Sequence, residues 1–229
     1  MITTLLFDLD NTVLNFDSGE KAALNESFRA FDIEPTEELL EEYHHINIKY
    51  WEKLERGELS RIEVLEGRFD ELFEKRGISC TGRQIQSTYE HALANYHDFM
   101  PGAEETLEAL SGRYDMYIIS NGCAEIQAQR IWDARLTRFF KDFFVSENIG
   151  FDKPDKRFFD YCAEHIPNFQ PENALVIGDS LTSDIRGGNN AGIKTCLLSL
   201  KKNPNFDTVR PDFMIFELSE LEKLLHNLA

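Results

Sequence analysis

Apolar and polar positions along the chain follow two different patterns. Near the N-terminus, residues 2 to 8 carry Leu5-Leu6-Phe7 without polar alternation, as in a strand buried on both faces of a parallel sheet. From about 17 to 98 the texture is rich in Glu, Leu, Phe and Tyr, and no buried strand fits. Breaks at 32–36, 57–60 and 77–82 divide this stretch into four predicted helices, at about 18–31, 36–55, 60–76 and 82–97. Leu39, Tyr43, Ile46, Tyr50 and Leu54 make an apolar stripe on the second. Ile62, Leu65, Phe69, Leu72 and Phe73 do so on the third, so the segment reads as a small helical bundle with its own core.

After Met100-Pro101-Gly102 the period changes again. Helices at 103–111, 124–133, 156–165 and 182–191 alternate with strands at 116–120, 143–146, 174–177 and 194–198. A last strand at about 213–216 and a helix at 218–228 follow. Apolar strands separated by helix-length segments give a parallel sheet covered on both sides. The predicted fold is α/β, a Rossmann-like core of residues 1–15 and 100–229 with an all-α insert at 16–99.

Composition narrows the function classes. Among 229 residues, 24 Lys and Arg face 41 Asp and Glu, a net charge of −17, which removes the electrostatic footprint needed for DNA, RNA or anionic lipid. Cys80, Cys123, Cys162 and Cys196 are widely spaced with no C-x-x-C pair, as expected of reduced, buried thiols rather than a zinc site. No apolar run approaches the roughly 18 residues that suggest a transmembrane helix, and no basic region precedes the first apolar segment. The expectation is a soluble, cytoplasmic protein.

Ligands of open α/β sheets sit beyond the carboxyl ends of the strands, and four such places carry suitable chemistry. Asp8-Leu9-Asp10-Asn11-Thr12 ends the first strand with two nearby acids, whose repulsion calls for a cation or a shared proton. Ser120-Asn121-Gly122 offers a hydroxyl and backbone N–H groups ahead of a helix, a cradle for phosphate oxygens. Lys153-Pro154 holds a lysine outside the next helix. Gly178-Asp179-Ser180-Leu181-Thr182-Ser183-Asp184 puts Asp179 at a strand tip and Asp184 in a first helical turn. Singly, Asp184 reads as a helix-start acid and Lys153 as part of a common Lys-Pro pair. Four such pieces in order at strand exits are hard to obtain from folding needs alone, and the oxygen-only donor set suits Mg²⁺.

The series DLDNT, ISNG, KP and GDSLTSD resembles the four motifs of the haloacid dehalogenase superfamily of phosphohydrolases, and the insert resembles that superfamily's helical cap. The resemblance implies that Asp8 attacks phosphorus to form an aspartyl-phosphate, and that Asp10 protonates the leaving oxygen and then activates water. It implies that Ser120 and the N–H groups of Asn121 and Gly122 hold the transferring phosphoryl group, that Lys153, also on the substrate side, balances charge between Asp8 and the phosphate, and that Asp8, the carbonyl of Asp10 and Asp179 hold Mg²⁺. Asp184 would then be a metal-shell or lysine-orienting residue and Thr12 a support for the first loop. Asp10 argues for phosphoryl chemistry, because dehalogenases lack the second aspartate.

Gln127 and Arg130, the run from Ser146 and GG-x-x-AG from Gly187 look like the bacterial pyrimidine 5'-nucleotidase branch. Ser120, Asn11 and Trp132-Asp133-Ala134 depart from it. The implied partner is a small phosphorylated metabolite, a pyrimidine nucleoside 5'-monophosphate favoured, in a monomer or homodimer. Alternatives are a broad-specificity, phosphoglycolate or sugar-phosphate phosphatase, or a phosphate-binding regulatory protein without turnover. Phe16, Tyr50, Trp51 and Tyr96 have the shape to stack on a base, with core the preferred role for Tyr50. His44, His45, His91 and His97 read as structural or solvated.

Overall fold

The computed structural model describes residues 1–199, 206 and 208–228. These fall into two compact units, one of Met1–Asn15 and His97–Ala229, the other of Phe16–Tyr96.

The first unit is built on six parallel strands, β1 (Thr4–Asp8), β2 (Asp115–Ser120), β3 (Asp142–Val145), β4 (Ala174–Gly178), β5 (Lys194–Leu198) and β6 (Phe213–Ile215). They lie in the order β3-β2-β1-β4-β5-β6, so the N-terminal strand is central. Alternate residues of β1 serve different faces. Leu5 and Phe7 pack with Leu107, Leu110, Leu221 and Leu225, whereas Leu6 packs with Phe158, Phe159 and Cys162. Both faces are therefore covered, as the unbroken apolar run demands. The segments that leave and re-enter this unit lie antiparallel: Asn15 N–H donates to the Asp98 carbonyl at 2.8 Å and Met100 N–H to that of Val13 at 2.9 Å.

The second unit holds α1 (Phe16–Ala30), α2 (Glu37–Glu55), α3 (Arg61–Arg76) and α4 (Gly82–Ala94). Starts and stops have local causes. The Thr36 hydroxyl caps Leu39 N–H, Ser60 and Glu63 form a capping box, and Gly77 ends α3 in the left-handed conformation. At Gly82 a Cβ would lie 1.9 Å from the Glu66 carbonyl oxygen, so only glycine lets α4 start against α3. Phe28, Tyr43, Phe69, Phe73 and Tyr89 form an aromatic core.

The buried face of α3 is rotated from the predicted stripe. Ile62 is 69% exposed, and Val64, Arg68, Phe69, Leu72 and Phe73 are buried. Arg68 takes an interior place because both terminal nitrogens of its guanidinium find acceptors there: it donates to Asn47 at 2.7 Å and to Gln86 at 3.2 Å and lies over the Tyr89 ring. Asn47 in turn donates to Glu20 at 2.6 Å. Tyr50 is half-buried, outside the aromatic core.

In the first unit the remaining helices are α5 (Ala103–Leu110), α6 (Ala124–Asp133), α7 (Ser146–Ile149), α8 (Lys156–His165), α9 (Arg186–Ala191) and α10 (Leu221–Asn227). The helix expected at 182–191 opens instead as a π-turn, Leu181–Ile185, before α9. Its cause is local: the Ser180 hydroxyl accepts Ser183 N–H, and the Ser180 carbonyl accepts both Asp184 and Ile185 N–H. The helix expected at 218–228 likewise begins with a 3₁₀ turn, Leu218–Glu220. All four cysteines are free thiols. No helix among the described residues is long and apolar enough to cross a membrane.

α9 approaches the sheet closely because Gly188 carries no side chain; a Cβ there would lie 2.4 Å from Thr195 Cγ2 and 3.2 Å from Val176 Cγ2. Gly188→Ala is expected to cost about 1–3 kcal/mol through overpacking, more than the helix-propensity gain of about 1 kcal/mol. A lower urea midpoint than the parent's is the expected result; an unchanged or higher one would show that the contact relaxes freely.

Candidate active site

Sheet register gathers the strand exits. Asp8 stands beside Ile119 of β2, and Phe7 beside Ile177 of β4, so Ser120 and Gly178-Asp179 emerge next to Asp8. The chain then turns tightly: Val13 and Leu14 N–H donate to the Leu9 carbonyl at 3.0 and 2.9 Å, and Asn11 N–H to that of Leu14 at 2.7 Å. Asn11 has φ 57°, a left-handed conformation that asparagine adopts more readily than most residues.

Lys153 lies ahead of α8 and is buried. Its ammonium donates to Asp8 Oδ1 at 2.8 Å, Asp184 Oδ1 at 2.7 Å and the Ile119 carbonyl at 2.9 Å. An ammonium has three N–H groups, and all are used. The resemblance implies that Lys153 balances charge between Asp8 and a bound phosphate; in this arrangement it is the counter-charge of Asp8 and Asp184. Its backbone is pinned by Asn121, whose side chain accepts from Lys153 N–H and donates to Lys153 O, both at 2.8 Å.

Asp184 also accepts Ser180 N–H through Oδ2 at 3.1 Å. A Cβ at Gly178 would lie 2.2 Å from that oxygen, so glycine at the end of β4 gives this carboxylate its place. Asp8, Asp179 and Asp184 each offer an oxygen within 4.8 Å of the others. Asp184 has both oxygens committed to protein donors, whereas no hydrogen bond reaches Asp179 among the described residues and Lys153 takes only Oδ1 of Asp8.

Asp10 has other partners. Arg130 donates to its Oδ1 at 2.5 Å and Gln127 to its Oδ2 at 2.6 Å; Gln127 also donates to Ser120 Oγ at 2.9 Å. Ser120 Oγ accepts Gly122 N–H as well, at 3.1 Å, so both bonds use its acceptor sites and its own proton is left as a donor. Thr12 is fully buried, and its hydroxyl has no hydrogen-bond partner among the described residues, so it fills the loop rather than bracing it through a bond.

In the sequence, Gln127 and Arg130 stand out only as points of family resemblance. A signal was present: Gln127, Arg130 and Ile131 form the buried face of α6, and two polar residues on an interior face call for partners.

Electrostatics follow from this crowding. Burial, reinforced by Asp184 and Asp10 and opposed by Lys153, pushes the Asp8 carboxyl up to about 7. Burial and the charges of Asp8 and Asp184 push Asp179 well above the usual carboxylate range. Burial alone would lower Lys153; Asp184 and Asp8 outweigh it and hold the ammonium charged. Four carboxylates against Lys153 and Arg130 leave two formal negative charges. That excess and the all-oxygen donors fit one hard divalent cation, with Asp8 and Asp179 as the available side-chain ligands.

Residues 2–192 match the family model of the haloacid dehalogenase-like hydrolases. The chain belongs to that family. The hydrolase is 39% identical over 223 residues to the putative HAD-hydrolase YfnB of Bacillus subtilis, covering 97% of this chain and 95% of that protein. The crystal structure of YfnB, described as bound to magnesium and revealing interdomain movement, matches with a TM-score of 0.94 over 98% of each chain. The hydrolase is 34% identical over 218 residues to the pyrimidine 5'-nucleotidase PynA of Streptococcus pneumoniae, covering 95% of this chain and 92% of that protein. It is 30% identical to the pyrimidine 5'-nucleotidase YjjG of Escherichia coli over 221 residues, 96% of each.

Without a divalent cation, raised carboxyls make the folded hydrolase hold protons that the unfolded chain gives up. Their stabilising contribution is complete below about pH 4 and is lost as pH rises through about 7. A cation selects the ionised carboxylates and reverses that loss. The rise in Tm produced by a fixed Mg²⁺ concentration is therefore expected to grow between about pH 5 and pH 8. A thermal-melt series would check it, and a pH-independent shift would contradict the assignment.

Proposed function

We propose that this hydrolase is a Mg²⁺-dependent phosphatase of small phosphate monoesters, with pyrimidine nucleoside 5'-monophosphates its favoured substrates. The observation that carries the reading is the separation of two neighbouring acids: Asp8 shares the buried Lys153 with Asp184, while Asp10 is held by Gln127 and Arg130. One acid is thus set up as nucleophile and the other as proton carrier.

In the first step an Asp8 oxygen attacks phosphorus, the ester P–O bond breaks, and the departing oxygen takes a proton from Asp10. In the second, Asp10 takes a proton from water as the water oxygen attacks the acyl-phosphate. The P–O bond to Asp8 breaks, releasing inorganic phosphate and restoring both aspartates. Ser120 would steady the phosphoryl group. Asp8 and Asp179 and, by resemblance, the Asp10 carbonyl would hold Mg²⁺, which would supply charge neutralisation where an anionic nucleophile meets an anionic ester. The magnesium named for YfnB supports the choice of metal, and the names of PynA and YjjG support the substrate class. Residues 1–15 and 100–229 would form the catalytic core and 16–99 a substrate-selecting cap. The free thiols suit a reducing cytoplasm.

A phosphate-release screen over nucleoside monophosphates and sugar phosphates tests the proposal. The highest kcat/KM is expected for a pyrimidine 5'-monophosphate in Mg²⁺; preference for a sugar phosphate would overturn the nucleotide part alone. Asp8→Asn is expected to lower turnover by about 10³-fold or more, and unchanged turnover would remove Asp8 as nucleophile.

A further inference from the structure

Asp10 must deliver a proton along one direction in the first step and collect one in the second, so the plane of its carboxyl group matters as much as its presence. An aspartate at a strand exit has two side-chain torsions with which to turn away. Here both oxygens are tied to α6, Oδ1 to Arg130 at 2.5 Å and Oδ2 to Gln127 at 2.6 Å. The two donors are themselves joined, because Arg130 donates to Gln127 Oε1 at 2.8 Å from the same nitrogen that reaches Asp10. Gln127 and Arg130 are 2% and 1% exposed, so this ring of three side chains is fixed from within the unit.

The ring also reaches the phosphate cradle. The second N–H of the Gln127 amide goes to Ser120 Oγ at 2.9 Å. A Cβ at Gly122 would lie 2.3 Å from Gln127 Nε2 and 2.7 Å from its Cδ and Cγ, so the glutamine lies directly across the backbone of the Ser120-Asn121-Gly122 loop. One amide thereby sets the spacing between the proton carrier and the phosphoryl-holding hydroxyl. A carboxylate oxygen has two acceptor sites, and each oxygen of Asp10 spends one here. The side chain keeps 27% of its surface exposed, an open edge for the leaving-group oxygen.

We propose that Gln127, backed by Arg130, is a positioning residue that aims the Asp10 carboxyl group at the leaving-group oxygen and keys that aim to Ser120. The proposal rests on the phosphatase reading above, with Asp10 as general acid. Its signature is dependence on the leaving group. An alkoxide must be protonated as it departs, whereas p-nitrophenolate leaves readily without a proton. Misaiming the acid should therefore injure alkyl esters selectively. kcat/KM is the parameter to read, since it reports only the steps through phosphoryl transfer to Asp8, before Asp10 acts as base.

The experiment compares the parent with Gln127→Met, which keeps the length of the side chain and removes its hydrogen bonds, and with Arg130→Lys, which keeps the charge and loses the planar fork. Substrates are the best alkyl monoester of the screen and p-nitrophenyl phosphate, in saturating Mg²⁺, with thermal melts to establish that each variant is folded. Gln127→Met is expected to lower kcat/KM by about 10- to 100-fold for the alkyl ester and by less than about threefold for the aryl ester, with Arg130→Lys intermediate. Equal loss on both substrates, or loss on neither, would overturn the positioning role. Should one variant fail to fold, the other decides by the same ratio. Absence of phosphate release by the parent from both esters would instead overturn the phosphatase reading itself.

Discussion

The structure of the site depends on one buried ammonium. Lys153 is placed where a lysine is costly to bury unless every N–H is matched, and each is: to Asp8, to Asp184 and to the Ile119 carbonyl near the end of β2. Those acceptors come from three different strand exits, so the arrangement exists only because β2, β1 and β4 are adjacent and in register. The Asn121 clamp on the Lys153 backbone fixes the fourth segment. Chain positions as far apart as 8 and 153 are thus held by one atom, and the parallel sheet is what makes their meeting possible.

That lysine cannot serve every acid. With its three donors spent, it leaves Asp10 and Asp179 to other partners, and the molecule treats these two differently. Asp10 receives a second cation, Arg130, together with an amide. Asp179 receives no hydrogen bond among the described residues and sits beside Asp8 in a cluster whose net formal charge matches a divalent cation. Neighbouring carboxylates with unlike surroundings are the usual means by which one site holds a nucleophile and an acid/base together.

Much of this was legible because the rule for open parallel sheets needs only local information. An apolar run marks a strand, the polar residues after it mark the ligand end, and DLDNT, ISNG and GDSLTSD stand at the exits of β1, β2 and β4. What periodicity missed involves interior polar residues. On α3 an apolar template favoured Ile62, yet the helix buries Arg68, whose partners lie 21 and 18 positions away. On α6 the same blindness hid Gln127 and Arg130 as partners of Asp10, which they meet across 117 and 120 positions. Hydrophobic patterning treats a buried arginine as noise; only the fold supplies the partner that makes it affordable. The π-turn at Leu181–Ile185 was invisible for a related reason, since it is set by hydrogen bonds of Ser180 and not by side-chain periodicity.

Two glycines show how tightly local sequence and function are joined here. A glycine after a strand suggests a flexible loop or a left-handed backbone, but neither Gly122 nor Gly178 has positive φ. What each lacks is a Cβ that would collide with a particular side chain, Gln127 at the exit of β2 and Asp184 at the exit of β4. In both places the chain gives up a side chain so that a residue several positions later can fold back over the strand end. Each returning residue then holds a group of the candidate site: Gln127 holds Asp10, and Asp184 holds Lys153. The requirement at these positions is therefore steric and directional. A residue that tolerated the same backbone but carried a Cβ would disturb not the strand but the orientation of the acid or the lysine beside it.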